Sequence, residues 1–234
     1  MRTNAERRAF IAANTGVLTP PLVPEIRLHL AEESLPIWRK TEDELGEMNV
    51  PPPYWAFAWA GGQALARYLL DNPKLTSGRR VLDLGSGSGL TAIAAALAGA
   101  RSALAADIDT LALAAVALNA ELNGVHVETT ATDLLAEPLP VADVVLVGDL
   151  FYERTLAERV LARIEAAAEA GALVLIGDPQ RSYFPRDRFT RLADYRVPVT
   201  RELEDAEIKQ TAVWQVASRI PLPERPGSDS LSTG

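Results

Sequence analysis

The chain has 234 residues, 48% of them hydrophobic, and a formal net charge of −8; this is the make-up of a globular protein with enough apolar residues for a sizeable core. No Lys/Arg run builds a basic patch, so the balance favours a small-molecule or protein partner and no nucleic acid. With no cysteine and only two histidines, His29 and His126, disulfides, zinc–thiolate sites, iron–sulfur clusters and thiol nucleophiles are excluded, and no metal site is expected.

In chain order, a helix is predicted over residues 3–14, with Thr3 or Asn4 as its cap. Residues 25–30 alternate enough for a strand, and residues 37–45 fit a charged helix or part of a hairpin. Pro51, Pro52 and Pro53 stop any regular element. The pattern then becomes regular. Helices are expected over 63–70, 90–98, 110–123 (capped by Thr110) and 155–170, with Gly99, Gly124 and Gly171 closing the last three. Short apolar strands are expected over 80–84, 102–106, 125–129, 143–147 and 172–176, with two more over 196–200 and 211–217. Strands alternating with helices demand a parallel sheet with crossover helices on both faces. The last two strands have no long helix between them, which predicts an antiparallel pair at one edge. Residues 221–234, with three prolines, two glycines and three serines, are expected to be disordered. The longest uncharged stretch, residues 84–100, starts Gly- and Ser-rich and continues as an Ala-rich helix. No membrane span is therefore expected. No signal-peptide core forms near Arg7 and Arg8, which makes a cytoplasmic location the default.

The strongest motif is Asp83-Leu84-Gly85-Ser86-Gly87-Ser88-Gly89, between a strand and a helix. Its glycines allow a sharp turn and close approach of a cofactor. A dinucleotide fingerprint, G-x-G-x-x-G, needs glycine where Leu90 stands. The carboxylate of Asp83 suits a cationic cofactor and would repel a phosphate. Both features argue against a nicotinamide dehydrogenase, the rival reading of such a turn. At the end of the second strand, in Asp107-Ile108-Asp109, Asp107 can accept both hydroxyls of a ribose, while Asp109 also reads as a helix-start residue. Gly148-Asp149-Leu150-Phe151-Tyr152 follows the fourth strand, where ligands sit in open α/β sheets. The aromatic stretch Tyr54-Trp55-Ala56-Phe57-Ala58-Trp59 leads into Gly61, Gly62 and a helix N-terminus, which can hold a carboxylate through free N–H groups.

Motif I resembles that of the class I S-adenosylmethionine-dependent methyltransferases. With Trp59-Ala60-Gly61-Gly62-Gln63, residues 67–73, Asp107-Ile108-Asp109 and Gly148 to Tyr152, the chain resembles the family of lysine methyltransferases that modify the beta subunit of electron-transfer flavoprotein. The similarity covers roughly residues 20–218; Ala60 stands where proline is expected. It implies a Rossmann-like seven-stranded mostly parallel sheet with one antiparallel edge strand, helices on both faces, an N-terminal extension over 1–50 and a methyltransferase domain over 51–220. It also implies a cofactor site built from Trp59, Gly61, Gly62, Asp83, Gly85, Ser86, Gly87, Gly89, Asp107, Ile108, Asp133, Leu134 and Gly148. In this family the loop of Asp133 and Leu134 lies against the adenine. Asp149 and Tyr152 match a D-x-x-Y pattern of amino-methylating enzymes, with Asp149 orienting the amine and Tyr152 lining its channel. A lysine ammonium must lose a proton before it can attack, which costs about 3 pK units, roughly 4 kcal/mol, at neutral pH. An aromatic, poorly solvated pocket lowers that cost. The expected acceptor is a lysine of the flavoprotein beta subunit; a ribosomal protein or a small amine are the alternatives.

Overall fold

The computed structural model describes residues 3–31, 52–199 and 208–216. Two short strands, β1 (Gly16–Leu18) and β2 (Leu28–Leu30), pair antiparallel near the N-terminus. The main sheet holds β3 (Arg80–Leu84), β4 (Ser102–Ala106), β5 (Glu128–Thr130), β6 (Val144–Gly148), β7 (Leu173–Asp178), β8 (Phe189–Pro198) and β9 (Ile208–Val216). Their spatial order is β5-β4-β3-β6-β7-β9-β8. The first five pair in parallel, and β9 runs antiparallel to both β7 and β8. This is the seven-stranded Rossmann-like sheet expected, with the reversed strand in the edge pair. After β5 the chain returns to the other side of β3. The junction of β3 and β6 is therefore the topological switch point, where the carboxyl ends of the strands open a crevice.

Among the described residues five α-helices accompany the sheet: α1 (Asn4–Asn14), α2 (Ala60–Asp71), α3 (Leu90–Leu97), α4 (Thr110–Leu122) and α5 (Arg154–Glu169). β3, β6 and β7 are buried along nearly their whole length, and mostly apolar, because both faces are covered. One core joins Val81, Val144, Leu146 and Leu175 to Leu65, Leu69 and Ile93 of α2 and α3. The other joins Leu82, Val145, Val147 and Ile176 to Val160 and Ile164 of α5. A third, smaller cluster packs Ile11 of α1 with Trp55 and with Leu111 and Ala115 of α4, so the N-terminal helix is seated on the domain. A capping box between Thr3 and Glu6 starts α1.

Several boundaries differ from expectation for identifiable reasons. α4 is capped by Asp109, not Thr110: the Asp109 carboxylate accepts the Leu111 N–H at 2.8 Å. α2 begins at Ala60, three residues early, with Trp59 as its cap. β8 starts at Phe189 rather than 196, because an edge strand can carry Arg191, Asp194 and Arg196 outward and so lacks an apolar run. Only Leu28–Leu30 of the 25–30 segment is strand, and β1 was not anticipated. The expectations for residues 37–45 and 221–234 lie outside the described residues, as do Thr200 and Ala217.

Candidate active site

The Gly-rich turn follows β3 because Gly85, Gly87 and Gly89 take left-handed φ values of 64°, 51° and 80°, a region that penalises any Cβ. A Cβ on Gly85 would also meet Leu150 Cδ2 at 2.7 Å, and one on Gly89 would meet Val116 Cγ2 at 3.0 Å. A Cβ on Gly87 would meet nothing nearer than Trp55 Cα at 3.9 Å. Asp83 is buried and ties the turn to α3: its Oδ2 accepts from Thr91 Oγ1 at 2.6 Å and from the Ala92 N–H at 3.2 Å. Burial pushes its carboxyl up to about 7, so a cation placed nearby would be welcome. Asp107 spans the turn and the end of β4, accepting the Gly87 N–H and the Asp109 N–H, each at 2.9 Å. Burial pushes it upward as well. Each carboxylate oxygen keeps capacity for a further donor, such as a ribose hydroxyl. Ile108 beside it is 73% exposed. Ser86 Oγ is buried with no hydrogen-bond partner, and a Cβ on Gly62 would enter open space. An orphaned hydroxyl, open backbone and acidic groups fit a ligand carrying hydroxyls, a carboxylate and positive charge.

The loop after β5 is held differently. Asp133 pairs with Arg159 of α5 at 2.6 Å and accepts the Leu135 N–H at 3.0 Å. The Arg159 hydrogen bond lowers its carboxyl. Leu134 is buried in the core shared with α5. Both anchor the loop whatever it contacts.

At the end of β6, Gly148 lies against Gly62, 3.4 Å from that residue's Cα to an added Cβ. Asp149 has φ 57°, an uncommon conformation for a non-glycine residue and one that clusters at functional sites. It does not cap α5, since Glu153 takes the Thr155 and Leu156 N–H groups, each at 2.8 Å. Instead its Oδ2 accepts the Gly62 N–H at 2.8 Å and its Oδ1 accepts Arg181 Nη2 at 2.8 Å and Nε at 3.2 Å. Phe151 turns into the core against Phe184 and Phe189. Tyr152 turns out, 47% exposed. Its ring lies 5.9 Å from Tyr54, which lies 6.1 Å from Trp59. Burial, with Tyr54 and Asp107 nearby, raises its phenol, which stays protonated.

Arg181 was not singled out from the sequence. Its guanidinium lies 5.4 Å over the Trp59 ring, and its N–H donates to Asp178 Oδ1 at 2.7 Å. The only available signal was an acidic residue and a proline, Asp178-Pro179, at the carboxyl end of a strand. Asp178 is fully buried, and its Oδ2 has no partner. Burial first, then the charge of Asp149, pushes its carboxyl up to about 7. The folded protein thus holds this proton more tightly than the unfolded chain, whose aspartates titrate near 3.9. The resulting stability is present below about pH 4 and is lost as pH rises through 7. Asp178→Asn keeps the acceptor for the Arg181 N–H and removes the ionisation. Its melting temperature relative to the parent should rise between pH 5 and pH 8; a difference that stays flat in differential scanning calorimetry counts against a protonated Asp178.

Trp59, Gly61, Gly62, Gly85 to Gly89, Asp107, Gly148, Asp149 and Tyr152 thus gather at the carboxyl ends of β3, β4 and β6 and the N-terminus of α2. Among the described residues no cluster of metal-ligating side chains exists.

Residues 63–165 match the family model described as ribosomal protein L11 methyltransferase. The chain is 39% identical over 213 residues to the electron transfer flavoprotein beta subunit lysine methyltransferase of Danio rerio, covering 88% of this chain and 81% of that one. To its counterpart in Rattus norvegicus it is 38% identical over 214 residues, covering 88% and 83%. Among solved structures, a Thermoplasma acidophilum protein superimposes with a TM-score of 0.54 at 19% identity, over 68% of this chain and 90% of that one. This last likeness concerns the fold.

Proposed function

Because this chain belongs to the family of electron transfer flavoprotein beta subunit lysine methyltransferases, we propose that it methylates lysine side chains of the beta subunit of electron-transfer flavoprotein. The observation that carries this reading is identity of 39% extending over four fifths of the relative's length, together with an aromatic-rimmed carboxylate at the switch point.

S-adenosylmethionine, when bound, supplies a methyl carbon on a positively charged sulfur, and S-adenosylhomocysteine is left. In this reading the backbone of Gly85 to Gly89 and the Ser86 hydroxyl hold the donor, with Asp107 on its ribose. The N-terminus of α2 at Trp59 and Gly61 holds its carboxylate; Gly62, whose N–H is taken by Asp149, leaves open space beside it. Asp149 orients the incoming nitrogen, and Tyr54, Trp59 and Tyr152 line its path. These rings lower local solvation, which favours the neutral amine, and the proton leaves to water. Positioning then supplies most of the rate. No helix among the described residues is long and apolar enough to cross a membrane.

Incubation with S-adenosylmethionine and purified flavoprotein beta subunit should add 14-Da increments to lysine peptides, read by mass spectrometry. No increment on that subunit, with label on ribosomal protein L11, would move the acceptor to the second reading. The match over residues 63–165 favours that alternative. It covers α2 to α5 and the Gly-rich turn, but neither β7 with Arg181 nor the N-terminal segment.

A further inference from the structure

The carboxylate read above as the amine-orienting group is already occupied by the protein's own cation. Asp149 Oδ1 accepts two N–H groups of Arg181, at 2.8 and 3.2 Å, and Oδ2 accepts the Gly62 N–H. The two side chains are only 9% and 16% exposed. The guanidinium lies over the Trp59 ring at 5.4 Å. A sequestered carboxylate facing an aromatic plane is a seat for an organic cation. A lysine ammonium on its apolar stem has the chemistry to take that seat, but not while the guanidinium is in it.

The arm that brings Arg181 there is built for the purpose. At the end of β7, Gln180 takes φ 67°, and the Arg181 N–H is held by the buried Asp178 carboxyl. Arg181 is therefore held at its backbone by Asp178 and at its guanidinium by Asp149. Tyr54, Tyr152 and Tyr183, all 41–49% exposed, flank the opening, and Arg154 stacks on Tyr183 at 5.5 Å.

We propose that Arg181 occupies the acceptor's seat in the free enzyme, and that the acceptor lysine enters by displacing its guanidinium from Asp149. The inference rests on the reading of Asp149 as the amine-orienting group and deepens it. It makes Arg181 a specificity-determining residue. A small amine brings one ammonium and loses the contest. A lysine on a protein surface brings further contacts around the tyrosine rim and wins it. This is how a site with an exposed mouth admits protein lysines and rejects free amines.

The test is Arg181→Gln. Emptying the seat should raise kcat/KM for the flavoprotein beta subunit about tenfold, because the competent state no longer has to be populated against the internal competitor. In calorimetry without added cofactor, the affinity for n-butylammonium should rise by a similar factor, while n-butanol stays unbound. A residue that merely supports Asp149 could not produce either gain. Arg181→Lys keeps a cation beside Asp149 but loses the two-point grip; it should raise both quantities by a smaller factor, and it carries the test if Arg181→Gln does not fold. A fall in kcat/KM with no gain in n-butylammonium affinity in a folded variant overturns the proposal. If the parent enzyme leaves the beta subunit unmodified but the variant gains n-butylammonium affinity, the seat stands and only the acceptor reading falls.

Discussion

Asp149→Ala is expected to cut lysine methylation by about a hundredfold or more. Misplacing a nucleophile by an ångström costs on the order of that factor, and Asp149 is the group aimed at the nitrogen in the proposed mechanism. The same change should damage the fold. Arg181 would lose the partner it meets at 2.8 Å in a largely buried pair, and removing one member of such a pair costs about 3–5 kcal/mol. For a chain of this size each kcal/mol moves the melting temperature by roughly 2–4 °C, so a drop of about 6 °C or more should appear in a thermal scan. The rate must therefore be measured well below the variant's melting temperature, alongside the affinity for S-adenosylhomocysteine, which should change far less than the rate. Methylation at the parent rate would remove Asp149 from the reaction.

Gly61→Ala should be strongly disruptive, whereas Gly62→Ala should fold. A Cβ on Gly61 would sit 2.1 Å from the Gly177 carbonyl oxygen and 2.5 Å from Asp149 Oδ2. The reciprocal Cβ on Gly177 would sit 2.1 Å from the Gly61 oxygen. Here α2 touches β7 backbone to backbone, and no side chain can rotate away. The helix would have to lift off the sheet, at the upper end of the ~1–3 kcal/mol typical of overpacking or beyond it, a fall of roughly 6–12 °C. Nothing lies within 4 Å of a Cβ on Gly62. Its alanine variant should melt close to the parent and instead weaken S-adenosylhomocysteine binding, read by calorimetry. A normal melt for Gly61→Ala would contradict the close α2–β7 contact. Undiminished binding by Gly62→Ala would take the donor away from the α2 N-terminus.

This pair of neighbours marks the limit of sequence reading. Gly61 and Gly62 look alike as adjacent glycines before a helix, and both were expected to serve the cofactor. One is required by a strand more than a hundred residues later in the chain, the other by nothing in the protein itself. Asp133 is similar: its place after β5 was readable, its pairing with Arg159 was not. Thr110 was expected to cap α4, with Asp109 beside it as a helix-start residue; in the folded chain Asp109 takes the cap, as the stronger acceptor of the two.

By itself the sequence determined what depends on near neighbours along the chain. Apolar runs, caps and glycine spacing placed β3, β4, β6, β7 and the helices within a few residues, because period and turn chemistry act over short distances. They also located the Gly-rich turn, Asp107 and the Asp149–Tyr152 segment at strand ends, where an open α/β sheet gathers its ligands. Only the tertiary structure decided the state of the site. Arg181 reaches Asp149 across 32 positions, and Gly62 reaches it across 87, because β6, β7 and α2 pack side by side. Such partners carry no periodicity or spacing of their own. Their meeting follows from sheet order and helix docking, which exist only once the chain has folded.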